Sequence, residues 1–161
     1  MVINSRAPLR VGFSGGGTDI EHYYKNHGGL VLNCTIDLYA HAKLTILNKG
    51  TKSKFSLLDL DVSKTFFEKD FNYKSDDDFM LLKAVYKYFL LKFKVKYLPI
   101  KLETYVDAPP GSGLGSSSTL VVCLVAAFSK LFNLNLNNFD LAEISYEIER
   151  KKLKISGGKQ D

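Results

Sequence analysis

Cysteine and arginine are scarce in this chain of 161 residues, and long apolar runs are missing. Each absence narrows the possibilities. The two cysteines, Cys34 and Cys123, lie far apart in apolar surroundings, without ligand-like spacing. That argues against a disulfide scaffold or a cysteine metal site and for a reduced, cytoplasmic protein. The most apolar run, Leu120 to Phe128, has nine residues, whereas a membrane span takes roughly 20. The N-terminus lacks an apolar signal core, so export is not expected and the sequon Asn33-Cys34-Thr35 carries little weight.

Only Arg6, Arg10 and Arg150 are arginines, and every other basic residue is lysine. A guanidinium suits bidentate contact with phosphate or carboxylate better than an ammonium does. The few arginines are therefore places to inspect. The net charge of +5 favours anionic partners, and these include nucleotides and sugar phosphates as well as nucleic acids. Hydrophobic residues make up 45% of the chain and charged ones 24%, enough for one globular domain with a sizeable core.

Residues 2–14 alternate weakly before Gly15-Gly16-Gly17, which predicts one or two strands and a tight turn. A short helix is expected over 19–26, then two strands at Leu30–Ile36 and Leu38–Leu47, and a weaker one at 53–59. The polar stretch 60–77 reads as a surface connection, with the run Asp76-Asp77-Asp78 capping the next helix. Phe79, Leu82, Tyr86, Phe89, Leu90 and Phe93 follow helical spacing. A strand from Pro99 to Val106 leads into the loop Asp107–Gly113. Helices follow at about 115–132 and 138–153, the latter burying Leu141, Ile144 and Ile148. Strands early and helices late, without strict alternation, predict an α+β domain.

The strongest signal is Pro109-Pro110-Gly111-Ser112-Gly113-Leu114-Gly115-Ser116-Ser117-Ser118. Alternate glycines let the backbone curl around an anion. The serines then open a helix whose first amides lack internal partners, so amides, helix dipole and hydroxyls converge on one anion site. No lysine follows the glycines, so this is not a Walker loop, and Ser118 stands where a dinucleotide fingerprint requires glycine. A plain serine-capped turn is the alternative, but the pattern exceeds what a cap needs.

This stretch resembles the central motif of the GHMP kinases, at Pro109, Gly111, Gly113, Leu114, Gly115, Ser116 and Ser117. Ser118 departs from the family's usual alanine. The resemblance implies that Pro109, Gly111, Ser112, Gly113, Leu114, Gly115, Ser116, Ser117 and Ser118 hold ATP, with Ser117 on Mg²⁺. Ala7 through Asp19 looks like the family's first motif, in which an arginine precedes an aspartate by nine positions, as Arg10 precedes Asp19. It implies that Gly16, Gly17, Thr18 and Asp19 contact the sugar and that Arg10 steadies charge at the reacting oxygen. Gly-Gly-Gly-Thr-Asp, in place of a Glu-His pair, is similar to the kinases of D-glycero-D-manno-heptose phosphates, but related bacterial sugar kinases share much of this run, so the resemblance implies phosphorylation of a sugar or sugar phosphate without fixing which.

The segment Ile148-Glu149-Arg150 through Gly157-Gly158-Lys159-Gln160-Asp161 resembles the part of the family that supplies a metal-binding glutamate and an aspartate. The resemblance thereby implies Glu149 on Mg²⁺ and Asp161, 12 positions on, as the base or the orienting group for the substrate hydroxyl. The family implies a ribosomal-protein-like mixed sheet with helices on one side. Its third glycine-rich motif is absent, so the chain reads as residues 1–161 of an N-terminal domain whose C-terminal partner domain is missing. A basic nucleic-acid-binding module is the competing reading. It rests on lysines interleaved with aromatics over 83–97, for which an amphipathic helix with a solvated lysine face is the simpler account. His22, His27 and His41 form no metal pattern.

Overall fold

The computed structural model describes residues 1–72 and 77–160. Five strands form one mixed sheet in the order β1-β2-β5-β3-β4. They are β1 (Val2–Ser14), β2 (Leu32–Ile46), β3 (Ser53–Leu57), β4 (Val62–Phe66) and β5 (Ile100–Val106). β3 runs parallel to β5, and the other pairs are antiparallel. The helices are α1 (Glu21–His27), α2 (Met80–Lys92), α3 (Ser116–Leu131) and α4 (Asn138–Tyr146). The α+β architecture is therefore the expected one.

Alternation along the strands decides which sheet face is covered. Ile3, Ala7 and Leu9 of β1, Ala40, Ala42 and Leu44 of β2, and Ile100 and Leu102 of β5 are buried against the helices. Val121, Leu124, Val125 and Phe128 of α3 pack into that face, with Tyr86 of α2 stacked on Phe128 and Phe89 tilted against it, at ring-centroid distances of 4.8 and 5.5 Å. Arg6, Lys43, Lys101 and Tyr105 carry the opposite, polar face.

Two boundaries differ from expectation. The break expected between Ile36 and Leu38 is an irregularity inside one long strand: Pro8 pairs with Tyr39 but Arg10 with Thr35, so β2 carries extra residues there. The stretch 60–77 is not only a connection, because Val62–Phe66 forms edge strand β4. Its Ser63, Lys64 and Thr65 are exposed, so its composition reads as surface, while Phe66 is buried in the core and Val62 packs partly buried against it. Lysine on an edge also discourages pairing with another chain.

The interleaved stretch 83–97 turns its rings inward. Tyr86, Tyr88 and Phe89 are core residues, leaving no aromatic platform there for nucleic acid. Lys83 departs from the expected solvated face: it is buried, 2.5 Å from Asp77 and over the Phe66 ring. Asp77 also accepts from the Phe79 amide at 3.0 Å, but the N-cap of α2 is Phe79, which makes no side-chain cap bond, so the expected aspartate cap is not formed; Asp76 of the same run lies outside the described residues. Among the described residues no helix is long and apolar enough to cross a membrane.

Candidate active site

β5 delivers the chain into the glycine loop, and Asp107 fixes where it leaves the sheet. Its carboxylate accepts from the Tyr39 amide at 2.7 Å and from the Tyr105 hydroxyl, and these bonds, led by Tyr105, hold its pKa below the ordinary carboxylate value. Gly111, Gly113 and Gly115 then adopt φ of +79°, +73° and +76°. A Cβ at Gly111 or Gly113 would meet nothing within 4 Å, so the left-handed backbone, not crowding, demands glycine there. From the other side Arg10 clamps the loop. Its Nη1 donates to the Gly113 carbonyl at 2.8 Å and its amide to the Leu114 carbonyl at 3.2 Å.

The loop feeds into α3, whose first main-chain bond to the loop runs from the Thr119 amide to the Gly115 carbonyl. Amides 116–118 precede it and so have no partner within the helix. Ser116 Oγ is buried with no hydrogen-bond partner among the described residues. Loop, serines, Glu149 and Arg150 together line a hollow of about 260 Å³.

Glu149 reaches this hollow through an irregular helix end. α4 is capped by Asn137, whose side chain accepts from the amides of Phe139 and Asp140. After Tyr146 the turns widen over Glu147–Lys152, with the Leu153 amide bonded five residues back to Ile148. Such widened turns often mark functional positions because they shift side-chain phase. Here Ile148 points into the core and Glu149, 3% exposed, points at α3. Ser118 Oγ donates to Glu149 Oε2 at 2.6 Å and Ser117 Oγ to Oε1 at 3.2 Å, while Arg150 Nη1 lies 3.3 Å from Oε1. A carboxylate this buried requires such partners.

Asp19 forms the other half. It follows the Gly15–Gly17 turn, which Thr18 ties down: its hydroxyl donates to the Gly15 carbonyl at 2.7 Å and accepts from the Leu30 amide at 3.1 Å. Asp19 Oδ2 accepts from the amides of Lys159 at 2.7 Å and Gln160 at 2.9 Å, and Oδ1 from Gly17 at 3.2 Å. Burial by itself would raise its pKa, but the amides of Gln160, Lys159 and Gly17 outweigh it and hold the group below its ordinary value. Gly158 permits this approach, because a Cβ there would fall on the Asp19 carboxylate. Asp19, Tyr24, Gly29, Val31, Asn33, Lys159 and Gln160 surround an open pocket beside it.

The structure thus gathers Gly111, Ser112, Gly113, Gly115, Ser116–Ser118 and Glu149 around one hollow, while Pro109 and Leu114 do not line it and Arg10 is bonded to the loop at Gly113 and Leu114; Asp19 sits beside a pocket at the same C-terminal segment. Gly16 and Gly17 stay exposed beside Asp19. Asp161 lies outside the described residues. Sequence reasoning missed Tyr24, Asn33, Lys159 and Gln160. Lys159 is held by the Tyr24 ring at 4.5 Å, and Asn33 Nδ2 donates to the Gln160 carbonyl at 3.2 Å. No spacing announces such contacts. Arg150 had one signal, its rarity as an arginine. No three His, Cys, Asp or Glu side chains cluster as a metal site among the described residues.

The model of the GHMP kinases N terminal domain matches residues 80–161, which include the glycine loop and Glu149. The chain belongs to the GHMP kinases. D-glycero-alpha-D-manno-heptose 7-phosphate kinase of Campylobacter jejuni is 42% identical over 159 residues, covering 99% of this chain and 46% of that protein. The crystal structure of a D-glycero-D-manno-heptose 1-phosphate kinase from Bacteroides thetaiotaomicron superposes with a TM-score of 0.90 at 40% identity, over 100% of this chain and 52% of that one. Lactococcus lactis galactokinase complexed with galactose, 21% identical, shares the fold with a TM-score of 0.81 over 99% of this chain and 40% of that one. This GHMP kinase chain spans about half the length of the relatives it matches.

Proposed function

We propose that this GHMP kinase chain forms the ATP- and Mg²⁺-binding part of a cytoplasmic enzyme that phosphorylates a D-glycero-D-manno-heptose phosphate. One observation carries the reading: the buried Glu149 carboxylate meets Ser117 and Ser118 where the glycine loop enters α3. A nucleotide phosphate fits that hollow, since positive-φ glycines leave it open and Ser116 Oγ lacks a partner among the described residues. Glu149 and Ser117 offer hard oxygen donors side by side, 3.2 Å apart at the edge of the hollow, which suits Mg²⁺ better than a softer metal. When bound, Mg²⁺ neutralises charge on the transferring phosphoryl group.

The chain's own residues do the positioning. Amides 116–118 and Ser116–Ser118 orient the phosphates, and Arg10 holds the loop while presenting positive charge. Asp19 accepts from sugar hydroxyls, with Gly16, Gly17 and Thr18 shaping the turn that carries it. Asp161 takes the acceptor's proton. A second, C-terminal domain covers the site from the side where Phe13, Leu30 and Leu32 stand exposed at 64%, 85% and 62%. The two heptose kinases among its relatives differ in where their substrate already carries phosphate, so the acceptor position is a matter for assay.

The test is a coupled ADP-release assay on the full-length enzyme, with heptose 7-phosphate, heptose 1-phosphate, galactose and mevalonate as acceptors. Preference for either heptose phosphate supports the reading. Preference for galactose or mevalonate overturns the acceptor, and absence of Mg²⁺-dependent ATP binding overturns the whole.

A further inference from the structure

Arg150 lies between the phosphate hollow and the C-terminal segment that holds Asp19. Nη2 donates to Ser118 Oγ at 3.3 Å, and Nη1 lies 3.3 Å from Glu149 Oε1. Toward the chain's C-terminal end, Nε donates to the Gly158 carbonyl at 3.3 Å and Nη1 to the Ile155 carbonyl at 3.4 Å. Its side chain is 10% exposed. Gly157 lies flat against the guanidinium, where a Cβ would come within 2.5 Å of it. The segment that Arg150 grips is the one whose next amides, Lys159 and Gln160, bind Asp19.

We propose that Arg150 is a positioning residue that couples the phosphate end of the site to the sugar end. Two of its contacts are the groups that line the phosphate hollow. The other two fix the carbonyls on either side of Gly157. A change at Ser118 and Glu149 on nucleotide binding is therefore passed through one rigid planar group to the segment that holds Asp19. A lysine could keep the charge but would present one ammonium in place of a planar fork, so it cannot span both sets of partners. The coupling role rests on the kinase reading above; the grip on residues 155–160 does not.

The test has two arms in the full-length enzyme. First, amide hydrogen exchange is followed without ligand in the unsubstituted protein and in Arg150→Gln and Arg150→Lys. Expected is loss of protection at Lys159 and Gln160 in both variants, with β1, β2 and α3 unchanged. Retained protection at both amides overturns the proposal whatever the enzyme phosphorylates. Second, kinetics are split by substrate. Removing partners that orient metal or phosphate ligands typically lowers activity by about 10- to 100-fold, and here the loss should fall on kcat and the sugar KM, with the KM for ATP nearly unchanged. Full rescue by Arg150→Lys, or an unchanged kcat and sugar KM in both variants, overturns the coupling. Gly157→Ala pushes on the same guanidinium from the other side and should reproduce both results if Arg150 variants fold poorly. An inactive unsubstituted enzyme would sink the kinase reading alone.

Discussion

Ser118 and Glu149, 31 positions apart in sequence, share a 2.6 Å hydrogen bond that joins the start of α3 to the widened turns after α4. Ser118 stands where the family usually has alanine, so this bond is an addition to the common pattern. It satisfies a carboxylate that is almost wholly out of water.

Ser118→Ala should therefore lower stability by about 1–3 kcal/mol, the cost of leaving a buried charged acceptor one donor short. Urea unfolding of the variant measures it. An unchanged midpoint would mean that Glu149 regains its partner from water.

Glu149→Gln keeps the shape and removes the charge. Nucleotide binding without Mg²⁺ should persist, while its enhancement by Mg²⁺ disappears and kcat falls by at least about 100-fold. Titration of a non-hydrolysable ATP analogue with and without Mg²⁺ checks this. Equal enhancement in the variant would remove Glu149 from the metal site.

Two glycine substitutions should separate the two ends of the site. Gly113→Ala places a side chain at φ +73° with open space around it, so it costs about 1–2 kcal/mol of backbone strain and should weaken ATP binding. Gly158→Ala places its Cβ on the Asp19 carboxylate and displaces the segment holding it. It should raise the sugar KM and leave ATP binding near normal, as Asp19→Ala should too. Steady-state kinetics in both substrates decide, and identical profiles for the two glycine variants would contradict the division.

The Asp19 contact sets a pH dependence. Its folded pKa lies below the ordinary 3.8, so its bonds to the Lys159 and Gln160 amides are fully present above that value. They are lost as pH falls through the lower, folded value. Exchange protection at those two amides should hold from pH 7 to about 5 and vanish only below the usual carboxylate range. Loss near pH 6 would point to another titrating group.

The 161-residue chain by itself should bind nucleotide yet turn over at under a tenth of a typical rate of about 10 s⁻¹. Its loop and Glu149 are all present, but the relatives it matches are about twice as long, and phosphoryl transfer depends on a closed, dry site. Turnover near the typical rate would show that nothing further is needed.

The sequence alone determined the local chemistry. Glycines at 111, 113 and 115 followed by serines dictate a left-handed loop opening a helix, because backbone φ and unpartnered amides are properties of neighbours in the chain. Strand alternation likewise announced most of the sheet; it missed β4, where an edge position leaves Ser63, Lys64 and Thr65 in water. Tertiary structure decided what no spacing encodes. The π-type turns after Tyr146 rotate Glu149 onto Ser118, and the return of the chain at Gly158 sets two amides on Asp19, 140 and 141 positions away. Arg150 illustrates the difference: its rarity was visible in the sequence, but its partners depend on where α3, α4 and the segment 155–160 meet, and packing of the common core fixes that meeting.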